Sequence, residues 1–320
     1  MSRIHEALKK AEQERAVCGA QDVASPPTEA GSAPAHPSSD GQDSQSSWRM
    51  TSGADVASGT APPTTLEYAF LRFDELRQRC AHPEWNLDPN LNVFANDALG
   101  AHGAEQFRTL RSRLYQCRDH QSLRSLLVTS SVPGEGKTFV TVNLAQGIVR
   151  QPDRRVIIID ADLRCPRVHT LLGSPEAPGL TDYLRGEADE AAIIQYGPEE
   201  NLCLIPGGNE VTNPSELLSN GRLGALIKRL VPVFDWIILD SPPCLPVADA
   251  SILASICDGV LLVVKAGSTP AAVAQRARQE LQTRNVVGVV LNAVGEGHMR
   301  NSEYYHAYRY GYGESKSRRP

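Results

Sequence analysis

The sequence predicts an α/β protein built on a mostly parallel sheet with helices on both faces, and three observations carry that prediction. From Leu123 onward six short runs, "SLLVTS", "RVIIIDAD", "LCLIPGG", "DWIILDSPP", "GVLLVVKAG" and "VVGVVLNAV", are apolar without interruption instead of alternating. That is the pattern of strands covered on both faces. Helical stretches such as Lys137 to Arg150 and Thr269 to Arg284 lie between them, as crossover helices do between parallel strands. A glycine-bearing turn, "SVPGEGKT", follows the first run directly.

Taken in order, the chain begins with "SRIHEALKKAEQERA", which sets Ile4, Leu8 and Ala11 on one helical face with Ser2 placed to cap it. A short amphipathic helix is expected over residues 1–16. Residues 17–65 are rich in Pro, Ser, Ala, Gly and Asp and almost free of large apolar side chains, so they cannot offset their own ordering entropy and read as a disordered linker. In residues 66–100, a connecting segment with no assigned function, "YAFLRFDELRQRC" can form a helix. The main α/β domain is expected over 101–299. Residues 300–320 form a tail in which Tyr304, Tyr305, Tyr308, Tyr310 and Tyr312 are interleaved with Gly311, Gly313, Arg309 and His306, a pattern with no period for a packed element. A flexible tyrosine-rich tail is expected.

Composition narrows the function. A net charge of -5 over 320 residues does not suit a general nucleic-acid binder. No apolar run approaches the roughly 20 residues of a membrane span, and the N-terminus lacks a signal-peptide pattern. The expectation is a cytoplasmic protein. Its seven cysteines show no CxxC pair, which favours reduced thiols over disulfides or zinc.

"SVPGEGKT", Ser131 to Thr138, is the strongest chemical signal. Between a buried strand and a helix, such a loop aims backbone N–H groups at phosphate; its lysine reaches the terminal phosphates and its hydroxyl ligates magnesium. Pro133, Gly134, Glu135, Gly136, Lys137, Thr138 and Phe139 are the expected nucleotide-binding residues. Ser131 departs from GxxxxGK[ST], which places glycine there. Asp160, Asp162 and Asp240 end two other strands, at the sheet edge where open α/β folds bind ligands. Two carboxylates and a hydroxyl suit magnesium, which keeps much of its water. Arg164 and Arg167 have two readings, phosphate contact or surface ion pair. Upstream, "EQFRTLRSRL" spaces Glu105, Arg108 and Arg111 at i, i+3 and i+6, which is expected to set them on one helix face.

"SVPGEGKT", "VIIIDADLRCP" and "FDWIILDSPP" resemble the Walker A, Walker A′ and Walker B motifs of the bacterial tyrosine kinases that work with polysaccharide chain-length regulators. "GLTDYLRG", "IPGGNEVTNPSELLSN" and "MSRIHEALKKAE" are similar to further segments of exopolysaccharide-associated members. The resemblance implies a P-loop NTPase fold and an ATP- and Mg2+-dependent autokinase. It implies that Lys137 and Thr138 hold the phosphates, that Thr138, Asp162 and Asp240 position the metal, and that Asp160 takes the tyrosine proton, with Lys137, Asp160 and Asp162 as the catalytic set. It further implies a homo-oligomeric ring with Glu105, Arg108 and Arg111 at the interface, and tail tyrosines that accept phosphate from a neighbour. An inner-membrane chain-length determinant, through which the protein would associate peripherally with the membrane, and a cognate tyrosine phosphatase are the implied partners. Two alternatives are a dimerisation switch like the partitioning and division-positioning ATPases, and a non-catalytic ATP-binding adaptor. The switch requires a signature lysine where Val132 stands.

Overall fold

The computed structural model describes residues 72–94 and 97–295. The helix expected over 1–16, the linker 17–65 and the tail with its five tyrosines lie outside the described residues. All six expected strands form: β1 (Ser125–Ser130), β2 (Val156–Asp160), β4 (Leu202–Ile205), β5 (Trp236–Asp240), β6 (Gly259–Lys265) and β7 (Val286–Asn292). A seventh, β3 (Gln195–Tyr196), was not anticipated. The order across the single sheet is β3-β4-β2-β5-β1-β6-β7, parallel except for the β3–β4 pair.

Parallel neighbours require crossovers, and helices supply them on both faces. The helices are α1 (Phe73–Arg79), α2 (Asp97–His120), α3 (Lys137–Val149), α4 (Val168–Leu172), α5 (Leu180–Arg185), α6 (Glu190–Ile193), α7 (Pro214–Ser219), α8 (Arg222–Leu230), α9 (Asp249–Ala254) and α10 (Ala271–Glu280). Strand side chains alternate between two cores. Leu127, Ile157, Ile159, Ile237 and Leu239 pack with α8 on one face, while Leu126, Val128, Ile158 and Ile238 pack with α3 on the other. This is why the apolar runs are continuous. Among the described residues no helix is long and apolar enough to cross a membrane.

Two expectations change. The run "VVGVVLNAV" suggested a strand covered on both faces, but β7 lies at the edge of the sheet and leaves Val289 and Leu291 each 59% exposed. Residues 72–94, within the expected connecting segment, belong to the folded body: Phe73, Leu76 and Cys80 enter one core and Trp85 the other. Ala81 forms a parallel bridge with Gln195, and the Asn143 side chain holds this segment by donating to Leu91 O and accepting from Val93 N.

Because β1 sits between β5 and β6, the chain leaves β1 toward one side of the sheet and later returns to its other side. That is a topological switch point, where the carboxyl ends of the strands open a crevice.

Candidate active site

The loop after β1 turns at Gly134 (φ 81°) and Gly136 (φ 89°), both left-handed, a region that L side chains rarely adopt. Gly136 is also the residue from which α3 starts, and a Cβ there would lie 2.1 Å from the Asn292 amide nitrogen. Ser131 is fully buried and is not among the positive-φ residues, so this first loop position does not require glycine.

Lys137, the first residue of α3, is only 15% exposed at its side chain and extends its ammonium to Asp162 Oδ2 (2.9 Å), with Asp240 Oδ2 at 4.0 Å. Burial pulls its pKa down, but Asp240 and Asp162 more than offset this and the net shift is upward. The lysine stays charged. Thr138 donates its hydroxyl to Asp240 Oδ2 at 2.6 Å. Parallel pairing sets Asp160 directly beside Asp240, and both are fully buried. Burial raises the Asp240 pKa to about 6, against the lowering pull of Lys137 and Thr138. Asp160 is pushed to about 8 by burial and then by repulsion from Asp240. Its Oδ2 accepts from the backbone N–H groups of Arg167 and Val168, each at 2.9 Å, and its Oδ1 from Asp162 N–H at 3.3 Å. Lys137, Thr138, Asp160, Asp162 and Asp240 therefore converge on the carboxyl edge of β1, β2 and β5.

Other expected residues do different work. The Phe139 ring is partly buried and packs edge-on against Phe107 at 5.9 Å, joining the core on the α3 side. Glu135 turns its carboxylate away to Lys265 N and Thr269 Oγ1. Arg164 follows the ion-pair reading: from an exposed position it forms a two-pronged pair with buried Asp249 (2.7 and 3.2 Å) and also donates to Ser215 Oγ. Arg167 places its Nε 3.3 Å from Cys165 Sγ. On α2, Glu105 and Arg108 pair at 3.0 Å on the surface, whereas Arg111 donates to Gly147 O on α3 at 2.6 Å. At about 100° per residue the i+6 position lies about 120° around the helix from i, so the three never shared one face.

Sequence reasoning missed Thr141, which donates to Asp240 Oδ1 at 3.1 Å. Its spacing from Thr138, one helical turn, was the available signal. It also missed Ser215 and Asp249, whose mutual hydrogen bond of 2.5 Å joins α7 to α9; nothing local marks that pairing.

Residues 126–313 match the CobQ/CobB/MinD/ParA nucleotide binding domain. The chain is 34% identical over 215 residues to tyrosine-protein kinase YwqD of Bacillus subtilis, covering 67% of this chain and 90% of that one. It is 32% identical over 207 residues to tyrosine-protein kinase etk of Escherichia coli K12, covering 64% of this chain but 28% of that longer protein. The solved kinase domain of the Escherichia coli tyrosine kinase ETK superposes with a TM-score of 0.61 at 31% identity, covering 67% of this chain and 83% of that domain. With a lysine and three aspartates at or just beyond strand ends gathered at the switch point of such a domain, the chain belongs to the bacterial tyrosine-protein kinases.

Proposed function

We propose that this protein is an ATP-dependent protein-tyrosine autokinase that phosphorylates the tail tyrosines Tyr304, Tyr305, Tyr308, Tyr310 and Tyr312 of neighbouring copies and thereby regulates exopolysaccharide synthesis or export. The observation that carries this reading is the convergence of Lys137 with Asp160, Asp162 and Asp240 beneath a phosphate loop. Phosphoryl transfer asks mainly for positioning and charge neutralisation. The loop N–H groups and Lys137 would hold the β- and γ-phosphates. A tyrosine oxygen attacks the γ-phosphorus, the bond to the β-phosphate oxygen breaks with ADP as leaving group, and the phenolic proton passes to Asp160. Burial and Asp240 raise its pKa, which makes it the stronger base once it is ionised.

Thr138, Asp162 and Asp240 offer hard oxygen donors that fit Mg2+, which would neutralise phosphate charge when bound. Among the described residues no three or more His, Cys, Asp or Glu form a self-sufficient metal cage, in keeping with an ion that retains water and shares substrate phosphates. We place the start of the catalytic unit near residue 72, because Phe73 and Trp85 complete its cores. The segments 1–16, 17–65 and 300–320 are assigned docking, linker and acceptor roles. Glu105 and Arg108 remain candidates for contact with a second copy in a ring. An inner-membrane chain-length determinant, through which the protein would reach the membrane, and a tyrosine phosphatase complete the proposed partners. Val132 occupies the position at which a dimerisation switch needs its second lysine, and no observation favours that reading.

Incubation with ATP, Mg2+ and phosphotyrosine detection tests the proposal. Lys137→Met should fold, with a lower thermal midpoint because Asp162 and Asp240 lose their cation, and should reduce phosphorylation by about 100-fold or more. Undiminished phosphotyrosine in that variant refutes it, as does phosphate found on Tyr183 or Tyr196 and none in the tail.

A further inference from the structure

A carboxylate inside a loop built to bind anions is electrostatically out of place. Glu135 is such a group. It is 1% exposed, and among the described residues no Lys or Arg side chain pairs with it. Its side-chain oxygens are met by N–H and hydroxyl dipoles. Oε2 accepts from Val132 N–H at 2.8 Å. Oε1 accepts from Lys265 N–H at 3.1 Å and from the Thr269 hydroxyl at 2.5 Å. The Glu135 carbonyl oxygen also accepts from Asn292 Nδ2 at 2.8 Å. Val132 lies in the phosphate loop, Lys265 ends β6, Thr269 lies between β6 and α10, and Asn292 ends β7. One residue thus ties the phosphate loop to the ends of the two strands on its far side from the aspartates.

We propose that Glu135 is a positioning residue of the nucleotide site. Acting through Val132 and the β6–α10 loop, it fixes the phosphate loop in its binding shape before a nucleotide arrives, so that the loop N–H groups need no ordering on binding. A loop whose shape is set in advance loses less conformational freedom when it closes on its ligand. Because phosphate is held both before and during transfer, weakening the brace acts on ground state and transition state together. This rests on the kinase reading only for its turnover readout; the binding readout stands without it.

The test is equilibrium titration of the full-length protein with the fluorescent nucleotide mant-ATP, alongside KM and kcat for tail phosphorylation. An amide at position 135 cannot accept on both sides, so Glu135→Gln should weaken mant-ATP binding and raise KM for ATP by about 10-fold each, with kcat at saturating ATP within about 3-fold. Thr269→Val, which exchanges the hydroxyl for a methyl group, should shift both the same way by about 3-fold, and Thr269→Ser should restore them. The Thr269 pair decides the matter if the Glu135 variant does not fold. The proposal is overturned if kcat falls while KM holds. It is also overturned if the thermal midpoint drops with mant-ATP affinity unchanged, since that marks a brace serving stability alone. If the protein shows no kinase activity at all, mant-ATP affinity across the same variants still decides the role of Glu135.

Discussion

The ends of β2 and β5 hold the same residue at the same register, yet the two aspartates are kept in opposite ways. Asp160 and Asp240 are direct neighbours across the sheet and equally buried. Asp160 is held by three backbone N–H groups from the loop that follows it. Asp240 is held by two hydroxyls and an ammonium, from Thr138, Thr141 and Lys137. Backbone donors cannot leave without refolding the loop, whereas side chains can rotate to other partners. One strand end is consequently a fixed anchor for the segment carrying Asp162, and the other is an exchangeable one.

The two aspartates should differ most in what their loss does to stability. Asp160→Ala strands buried backbone donors and should cost about 2–4 kcal/mol. Asp240→Ala leaves Thr141 its bond to Lys137 O and Lys137 its contact with Asp162, and removes a buried charge. Thr138 and Thr141 lose their acceptor, so the variant should cost about 1–2 kcal/mol. Urea unfolding of both variants decides; equal losses would mean that the kind of partner is immaterial.

A second difference follows from protonation. Both carboxyls have native pKa values raised from 3.8, Asp160 to about 8 and Asp240 to about 6. Between the unfolded and native values the native state holds a proton that the unfolded chain has released, so stability falls as pH rises. In nucleotide-free protein with EDTA, the thermal midpoint should therefore decline from about pH 5 to about pH 8, with Asp160 alone responsible above about pH 6. Asp160→Asn should flatten that upper portion. A wild-type curve that runs parallel to the variant's would remove Asp160 as its source.

A single hydroxyl probes the exchangeable side more finely. Thr141→Val deletes one donor to Asp240 and should cost about 1 kcal/mol. Since that hydroxyl lowers the Asp240 pKa, carboxyl NMR titration should show Asp240 moving upward. Thr141→Ser should return it, and an Asp240 titration that ignores both changes would mean the hydroxyl contributes nothing to its hold.

The anchors were legible because each aspartate closes an apolar run, and the phosphate loop because its spacing is local. Their partners were not. Thr141 meets Asp240 from 99 residues away and Arg164 meets Asp249 from 85, so neither pairing leaves a mark on neighbouring sequence. The segment 72–94 escaped for a related reason: its Trp85 packs where Gly197 leaves room, at 2.7 Å from the Cβ position glycine lacks. The β3 strand has two residues, too few for any period. Arg111 was misplaced by counting helical steps without following their angle, an error the residues themselves could have corrected.

Lys137 rests its ammonium against Asp162 and near Asp240, the two carboxylates proposed to take the divalent ion. The protein thereby carries a tethered counter-ion of its own. A triphosphate that draws the ammonium toward itself uncovers both acids as a divalent ion arrives with the same phosphates. On the proposed metal site, nucleotide and ion would then tighten each other's binding by one common factor, as reciprocity demands. Free nucleotide must leave the acids bare, and free ion must displace a cation that cannot diffuse away. A site built on that proposal would respond to the pair as one ligand, with the lysine's resting place setting the preference.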